Sequence, residues 1–514
     1  MHDPSIGVDE GRVGVQYFVD ALEAARRVRE REASDHELVE PSEARRDVAA
    51  RPVVERLRQL QQDVLRAGHV GHETGVVAAL ERGAGTHQKR LSTLEHEEQQ
   101  RSAVDRRELR RGMAPDVFGR NHERSMPRLS AAAEIRLNGA MPAGREDAIA
   151  RAARAAGFPL VGCVPVAPLP VGPFVRQWLA EGRAGEMHYL ERRAELRLDP
   201  RRQFPWARSL VCVGFPYRPP PPPVLDWPTQ LRGRIAAYTV GPDYHRHVRT
   251  RLDRLAEALE RLFPGTRYLS YVDTGAILER EWARRAGVGW IGKNTLVLHR
   301  QAGSYFFLGE LVTDLELDPV PLPADHCGTC ARCVAACPTG ALEQGYTMEP
   351  RRCIAYLTIE HRSAIPHELR PLLGNWVFGC DVCQEVCPWN DDARDPAAAA
   401  WLAPSLVELV TLDHAGFEAR YGGTAVTRVG RRGLARNAAV ALGNSANPAA
   451  IPALTAALAD ADPLVRGHAA WALGRLGGAA ARGALDAARR REPSAEARGE
   501  IDTALAGEAQ HASR

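Results

Sequence analysis

The spacing of the cysteines constrains this chain more than any other feature of its sequence. Eight of its ten cysteines lie between residues 327 and 387. The first set is a Cys-x2-Cys-x2-Cys-x3-Cys-Pro run that begins at Cys327, and the second is a distant Cys353 followed by Cys-x2-Cys-x3-Cys-Pro from Cys380. Runs of this kind place thiolates around the irons of 4Fe–4S clusters. We therefore expect two such clusters, held by a domain over residues 319–405.

The same motif predicts how the ligands are shared. In bacterial ferredoxins the cysteine that precedes the proline binds the neighbouring cluster rather than its own. We therefore expect a bacterial-ferredoxin-like di-cluster domain with exchanged fourth ligands. The expected ligands are Cys327, Cys330, Cys333 and Cys387 for the first cluster, and Cys337, Cys353, Cys380 and Cys383 for the second.

Disulfides and zinc are the alternatives for these cysteines. Four disulfides are typical of small secreted domains, whereas this chain is 514 residues long and begins without the pattern of a secretion signal. Zinc sites usually pair Cys-x2-Cys units without the Cys-x3-Cys-Pro step. Since thiolate clusters need reducing conditions, we expect a cytoplasmic protein, and no apolar run reaches the roughly 18 residues of a membrane span. Cys163 and Cys212 fall in apolar runs and are expected in the core.

Residues 1–130 differ from the rest of the chain. They are denser in charge and contain neither Cys nor Trp. A segment so poor in large apolar groups cannot easily offset the entropy cost of folding. We expect a poorly ordered charged extension, and the favoured explanation is a misassigned start, with translation beginning near Met126 or Met141. A natural extension is the alternative.

Helical and apolar segments alternate over residues 131–318. The helical periodicity of Arg145–Ala156 and Tyr244–Leu262 contrasts with short apolar runs bounded by Gly and Pro, such as Phe158–Val164 and Leu210–Tyr217. A further strand is expected at Arg267–Asp273, followed by a helix over Gly275–Ala286, and Tyr305–Leu317 is expected to be another strand. This alternation predicts an α/β domain.

The last part of the chain, residues 406–514, repeats. The stretch Ala435–Gly443 is echoed by Val465–Gly474, and Ile451–Leu458 between them has helical periodicity. Paired helices with this pattern predict all-α HEAT-like repeats. Arginines are frequent here, and they indicate either a solvated helical face or a groove for the phosphate backbone of a nucleic acid. These arginines are Arg428, Arg431, Arg432, Arg436, Arg466 and Arg475.

Several of these segments resemble one known family, the epoxyqueuosine reductases. The resemblance runs from about residue 143 to about residue 480 and includes the HEAT-like tail. The matching segments are Cys327–Leu342, Cys353–Arg362, Gly379–Asn390, Gly241–His245, Tyr271–Gly275 and Gly289–Asn294.

The resemblance implies a function that composition and spacing alone do not. The family reduces epoxyqueuosine to queuosine at the wobble position of transfer RNA, with electrons passing from two 4Fe–4S clusters to cobalamin. It implies that residues 131–318 bind cobalamin and substrate and that the HEAT-like tail binds tRNA. The expected partners are tRNA carrying epoxyqueuosine and a low-potential flavodoxin or ferredoxin-like electron donor, and the protein is expected to be a monomer. The Asp-x-His-x-x-Gly signature of some cobalamin proteins is absent, because Val248 stands at its last position.

Opening an epoxide to an alkene requires a proton donor for the departing oxygen. Asp273 follows a predicted strand, and the resemblance makes it the catalytic acid, with a helix cap as the alternative. Lys293 is one of only two lysines and lies in a Gly-Lys-Asn turn. It is predicted to contact a polar cofactor or phosphate, and a solvated lysine is the alternative. The other candidates for cofactor or RNA contacts are Arg197, Tyr244, His245, Asn294, Arg362 and Ala355, where Ala replaces a serine-like position of the family.

Two other classes of function remain open. A reductive dehalogenase would share cobalamin and two clusters, but it would normally carry a twin-arginine export signal. The pairs Arg26-Arg27 and Arg45-Arg46 lack the apolar stretch that follows such a signal. A non-catalytic electron-transfer or scaffold protein would use the clusters and helices without binding a corrin.

Overall fold

The computed structural model describes residues 144–217, 226–390 and 399–512. The charged extension expected over residues 1–130 lies outside the described residues. Within them, none of the helices is both long and apolar enough to cross a membrane.

Eight strands are present in the described residues, and four of them form the central sheet. The strands are β1 (Leu160–Pro165), β2 (Ser209–Pro216), β3 (Arg234–Ile235), β4 (Tyr268–Tyr271), β5 (Trp290–Ile291), β6 (Val297–Leu298), β7 (Phe306–Thr313) and β8 (Trp376–Phe378). The central sheet has the order β1-β2-β7-β4, and every neighbouring pair is antiparallel. The expected alternation of helix and strand is present, but alternation does not reveal the direction of pairing, and here it is not the parallel sheet of βαβ units.

The first seven helices lie in the same part of the chain as this sheet. They are α1 (Arg145–Ala155), α2 (Gly172–Ala180), α3 (His188–Arg192), α4 (Ala194–Leu198), α5 (Trp227–Gln230), α6 (Tyr244–Leu262) and α7 (Glu279–Arg285). Because successive strand residues point to opposite faces, the sheet has two cores. One core packs on α1 and α6 through Ile149 and Leu252, and the other packs on α7 through Trp282.

Helix α7 begins four residues later than its sequence predicts. Asp273 has a φ of 56°, and the preceding carbonyl of Val272 accepts a hydrogen bond from the N–H of Thr274 at 2.6 Å. Arg197 also donates from Nη1 to the carbonyl of Gly275 at 2.9 Å. These contacts hold residues 273–278 in a turn rather than in a helix.

Three short helices surround the cysteine motifs. They are α8 (Arg332–Ala336), α9 (Ile354–Ile359) and α10 (Val382–Glu385). Helices α8 and α10 lie side by side, and each ends just before the cysteine that precedes proline in its run. Each run therefore turns away from its own helix at Cys337 or Cys387.

The helical tail follows. Its helices are α11 (Ala399–Leu402), α12 (Leu406–Thr411), α13 (His414–Tyr421), α14 (Gly430–Asn444), α15 (Ile451–Ala457), α16 (Pro463–Leu476), α17 (Ala479–Arg489) and α18 (Ala495–Ala512). Helices α14, α16 and α18 pack against one another in succession. Asp462 caps α16, since its Oδ1 accepts the N–H of Leu464 at 2.9 Å. The HEAT-like arrangement expected from the repeat is confirmed.

Helix α14 joins the tail to the cysteine-bearing region. Arg436 is fully buried and donates to the carbonyls of His361 and Ser363 from Nη1 and to that of Leu357 from Nη2. The neighbouring Asn437 donates from Nδ2 to the carbonyls of Thr358 and Val377. The backbone of α9 and β8 therefore depends on α14 for hydrogen-bond partners.

Candidate active site

Two cavities lie next to the cysteines. The smaller, of about 280 Å³, is lined by Cys327, Cys330, Cys333 and Cys387. The larger, of about 770 Å³, is lined by Cys337, Cys353, Cys380 and Cys383. The structure therefore brings together the two quartets that the exchange of ligands predicts, with one cysteine of each quartet coming from the other run.

The cysteines surround space rather than converge on a point. All ten lie in the described part of the chain, and none of them forms a disulfide. In that same part, no three His, Cys, Asp or Glu side chains are arranged to hold a single metal ion. A tetrahedral zinc would require four thiolates about 2.3 Å from one centre. Four thiolates around one cavity are the ligand set that the motif spacing predicts for a 4Fe–4S cluster.

Lys293 lies at the smaller cavity, not at the larger one. Its Nζ donates to the carbonyl of Gly328 at 2.7 Å and to that of Cys330 at 2.9 Å. The lysine therefore braces the loop that carries the first cysteines. In the structure its ammonium group is engaged by these backbone carbonyls, and its contact with a polar cofactor or phosphate stays a prediction.

Asp273, His245 and Asp243 form a hydrogen-bonded series. His245 Nε2 lies 3.1 Å from Asp273 Oδ2, and His245 Nδ1 lies 2.7 Å from Asp243 Oδ1. Asp243 also caps α6, since its Oδ1 accepts the N–H of His245. Both ring nitrogens face carboxylates, and only the protonated imidazole can donate from both. The arrangement favours an imidazolium between two carboxylates.

The pKa values of this series follow from the same contacts. Burial lowers the pKa of His245, but hydrogen bonds to Asp273 and Asp243 outweigh it, so the pKa lies above its usual value. Burial raises the pKa of Asp273, but the hydrogen bond from His245 and the charge of Arg428 together lower it by more. The pKa therefore lies below its usual value. In the free protein the proton therefore lies on His245, and Asp273 is ionised.

Arg428 links this series to the larger cavity. Its Nη1 lies 3.7 Å from Asp273 Oδ2, and its Nε donates to Glu360 Oε1 at 2.6 Å. Glu360 lines the larger cavity, as does Tyr244, whose ring stacks on that of His245 with centroids 4.1 Å apart. The ring of Tyr244 stacks on Phe307 with centroids 4.3 Å apart. Asp273 is therefore held beside the cavity, although it is not one of the residues that line it.

The larger cavity contains hydrogen-bonding groups without partners. Arg197 and Asn294 both line it, and the buried Nε of Arg197 and Nδ2 of Asn294 have no hydrogen-bond partner. Ala355, at the start of α9, adds an apolar contact surface with no hydroxyl. A large cavity with buried, unpaired donors is suited to a polar-rimmed ligand of considerable size.

Arg362 is the predicted contact that the structure places elsewhere. Its guanidinium donates from Nη1 to the carbonyl of Val429 and from Nη2 to that of Arg428. It is not among the residues that line the larger cavity. In the structure Arg362 connects the end of α9 to the turn before α14, and its contact with cofactor or RNA stays a prediction.

Most arginines of the helical tail are paired within the protein. Arg431 makes a two-pronged ion pair with Asp460, and Arg466 makes one with Glu492. Arg432 is 52% exposed and lies 3.6 Å from Asp462, and Arg475 is exposed beside the ring of Trp471. Of the arginines predicted to contact a phosphate backbone, Arg432 and Arg475 are therefore the chief candidates.

Sequence reasoning missed two residues next to this site. Glu279 Oε1 accepts the N–H of Asp273 at 2.6 Å, and Glu310 lies fully buried in β7. One signal was available, because Glu310 interrupts the otherwise apolar run of β7. A glutamate inside an apolar strand is notable, because glutamate is almost never fully buried unless it is paired.

Family models match three parts of the chain. Residues 326–390 match a 4Fe-4S double cluster binding domain, and residues 197–274 match a domain of epoxyqueuosine reductase QueG. Residues 431–506 match HEAT repeats. Along the chain, the three matches fall in the region of the central sheet, the region of the cysteine quartets and the helical tail.

Curated relatives match the chain over most of their length. The epoxyqueuosine reductase of Xanthomonas campestris pv. campestris is 40% identical over 345 residues, which are 64% of this chain and 97% of that protein. The epoxyqueuosine reductase of Pseudomonas aeruginosa is 40% identical over 348 residues, which are 65% of this chain and 96% of that protein.

Solved structures agree with these relatives. A crystal structure of epoxyqueuosine reductase with an epoxyqueuosine-modified tRNA-Tyr stem loop aligns with a TM-score of 0.64 at 30% identity, covering 71% of this chain and 98% of that one. The Bacillus subtilis enzyme, in a form whose catalytic aspartate loop is swung out of the active site, also aligns with a TM-score of 0.64 at 30% identity, covering 70% and 98%. From the cysteine quartets, the helical tail and these matches together, we conclude that the chain belongs to the epoxyqueuosine reductase family.

Proposed function

We propose that this protein reduces epoxyqueuosine to queuosine in tRNA. The observation that carries the proposal is the larger cavity, which has a cysteine quartet in its wall and Tyr244 and Glu360 leading to Asp273. A redox centre and a proton-bearing group are thus adjacent to the same space. Family membership supplies the substrate class, since the matched relatives are epoxyqueuosine reductases.

The two quartets are the proposed ligands of two 4Fe–4S clusters. Cys327, Cys330, Cys333 and Cys387 would hold the first, and Cys337, Cys353, Cys380 and Cys383 the second. The second quartet shares the wall of the larger cavity, so electrons would enter at the first cluster and leave from the second. Low-potential clusters of this type transfer single electrons. The proposed donor is a low-potential flavodoxin or ferredoxin-like protein.

The larger cavity is the proposed site of cobalamin. Its volume of about 770 Å³ and the unpaired donors of Arg197 and Asn294 fit a large ligand with a polar periphery. Tyr244 and Ala355 would contact its faces and edges. When bound, cobalamin supplies a strongly reduced cobalt that is nucleophilic toward a strained epoxide. The proposed cobalamin and substrate domain spans residues 131–318, with the di-cluster domain over 319–405 and the tail over 406–514.

The residues of this chain supply the proton. Converting an epoxide to an alkene consumes two electrons and two protons and releases water. Asp273 is ionised in the free protein, so it acts as a donor only after receiving the proton of His245. Asp243 keeps His245 oriented and stabilises its positive charge. We therefore propose that His245 and Asp273 work as one acid toward the departing oxygen.

The tRNA is proposed to contact the helical tail. Arg432 and Arg475 are the proposed phosphate contacts, because both side chains are exposed, whereas Arg431, Arg436 and Arg466 are paired or buried within the protein. Single-stranded loops are recognised by splaying a base out of its stack. The epoxyqueuosine base would have to reach the cavity beside Asp273 in this way. We propose that the enzyme acts as a cytoplasmic monomer.

Turnover of the modified tRNA tests the proposal. The full chain is reconstituted with iron and sulfide without oxygen, and cobalamin, a strong reductant and tRNA carrying epoxyqueuosine are added. We expect the nucleoside mass to fall by one oxygen and turnover to require cobalamin. Unchanged nucleoside, with both clusters formed and the corrin bound by its absorbance, would overturn the proposal. Failure to bind a corrin would instead favour an electron-transfer or scaffold role.

A further inference from the structure

Two carboxyl groups, the fully buried one of Glu310 and the half-buried one of Glu279, lie behind the turn that carries Asp273. Glu310 is 0% exposed and stands in β7 opposite Cys212 of β2 and Tyr271 of β4. Directly opposed strand residues point to the same face, so Glu310 faces the core that packs on α7. Glu279 is the first residue of α7, and the two carboxyl groups interact.

These two carboxyl groups have no basic partner. In the described part of the chain, no Lys, Arg or His forms an ion pair with Glu279 or Glu310. Neither oxygen of Glu310 accepts a hydrogen bond from an N–H or hydroxyl group, so the carboxyl of Glu279 is its polar neighbour. The charged groups that influence the pair are Asp273, which repels it, and Arg280, whose attraction to Glu279 is weaker than that repulsion. Two adjacent carboxylates without a cation cannot both be ionised in a buried site, so one of them keeps a proton.

Glu279 connects this pair to the catalytic turn. Its Oε1 accepts the backbone N–H of Asp273 at 2.6 Å. Asp273 has a φ of 56°, a left-handed conformation that residues other than glycine adopt rarely and that neighbours must maintain. Arg197 holds the carbonyl of Gly275 on the other side of the turn. The backbone of the turn is thus fixed by Glu279 and Arg197, while His245 fixes the carboxylate.

We propose that Glu310 is a positioning residue that remains a carboxylic acid at neutral pH and donates its proton to Glu279, so that Glu279 holds Asp273 at the cavity. The inference deepens the proposed function, on which it rests for the role of Asp273. Burial and the neighbouring carboxyl raise the pKa of Glu310 well above its usual range, and burial raises the pKa of Glu279 to about 7, which agrees with a shared proton. Glu310 touches neither cavity, so its effect on the reaction is indirect.

Infrared spectroscopy detects the proton without requiring turnover. The reconstituted full chain should show the carbonyl stretch of a protonated, buried carboxylic acid at neutral pH. The band should vanish in Glu310→Gln. Glu281→Gln is the matched control, because Glu281 is also a buried glutamate of α7 but is paired with Arg284. The control should keep both the band and the turnover. Absence of the band in the unaltered protein would overturn the inference and leave the proposed function intact.

Kinetics tests the positioning role. Glu310→Leu removes the donor, and a displaced Asp273 should lower kcat about 100-fold with KM, cluster content and corrin binding unchanged. Glu310→Gln should restore most of this loss, because its amide also donates to Glu279. If Glu310→Leu does not fold, Glu279→Ala removes the acceptor of the Asp273 N–H and should lower kcat similarly. Full turnover in the folded Leu or Ala variant would overturn the positioning role. Inactivity of the unaltered protein would count against the proposed function alone.

Discussion

The Nε2 atom of His245 lies 3.1 Å from the Oδ2 atom of Asp273. This contact determines where the proton lies before reaction. The pKa of Asp273 is lowered and that of His245 is raised, so the carboxylate of Asp273 is the acceptor of the pair in the free protein. The resemblance makes Asp273 the catalytic acid, and the structure places His245, whose pKa is raised, in contact with it.

Asp273→Asn should abolish most of the turnover. An amide retains the shape of the side chain but cannot pass on a proton, and loss of a general acid typically costs about 100- to 10,000-fold in rate. Corrin absorbance should be unchanged, because Asp273 does not line the larger cavity. Mass analysis of the nucleoside measures the rate. Asp253→Asn is the control, since Asp253 is an exposed residue of α6 that accepts only from Ser270. Retained turnover in Asp273→Asn would remove the residue from its role.

His245 should determine the alkaline limit of turnover. Its pKa is raised, so the proton is present at low and neutral pH and is lost as pH rises through the folded-state pKa. We expect kcat to fall on the alkaline side of that pKa. His245→Gln should be about 100-fold slower and should lose this limb, because glutamine does not titrate. The measurement is kcat against pH. If the variant shows the same fall in kcat at alkaline pH, that fall is due to the titration of another group.

Cys353→Ser should remove one cluster and leave the other. Cys353 belongs to the quartet of the larger cavity, so iron content should fall from about eight to about four atoms per chain. Iron analysis and the visible absorbance of the clusters measure the loss. Cys163→Ser should keep all the iron, because Cys163 is buried in β1 away from both cavities. Full iron content in Cys353→Ser would contradict the ligand set.

Lys293→Met should destabilise the first cluster rather than weaken corrin binding. The variant loses two charged hydrogen bonds to the loop of Cys327–Cys330, each worth about 1.5–3 kcal/mol. We expect faster release of about half of the iron to a chelator. Arg332→Met is the control, because it removes a positive charge from the same cavity without a hydrogen bond to that loop. A loss of corrin affinity with stable iron would restore the original expectation for Lys293.

Arg436→Met should lower the stability of the whole described region. The change leaves the carbonyl groups of Leu357, His361 and Ser363 without their donor and removes a buried side chain, at a cost of about 3 kcal/mol. The midpoint of urea unfolding, followed by circular dichroism, measures the loss of stability.

Arg432→Met, one turn earlier in α14, should shift stability by less than about 0.5 kcal/mol. The Arg432→Met variant should instead bind tRNA more weakly, and the slope of log affinity against log salt should fall by about one. Equal unfolding midpoints for the two variants would contradict the structural role of Arg436.

Local patterns predicted most of the elements and the two cysteine quartets. Helix α6 has the limits that its periodicity predicts, and the other long elements differ by a few residues, because burial and turn signals are encoded locally. The quartets followed from motif spacing, since a cubane cluster restricts the arrangement of its ligands. The direction of strand pairing was not available from alternation alone.

The partners of charged residues could not be predicted in the same way. Lys293 stands out because it is one of only two lysines in the sequence. Its hydrogen-bond acceptors, however, are backbone carbonyls 35 and 37 residues away. Arg466 was a candidate for phosphate contact until the fold placed Glu492 opposite it. Such pairings depend on tertiary structure, because a charge in the sequence does not state which other charge will face it.

Asn437 links the helical tail to the region that carries the second quartet. Its side-chain amide serves the carbonyls of Thr358 in α9 and Val377 in β8. Cys353 directly precedes α9, and Cys380 follows β8 closely. The tail is thus not a separable RNA-binding appendage, and a gene shortened before α14 would encode a defective redox protein rather than a free-standing ferredoxin.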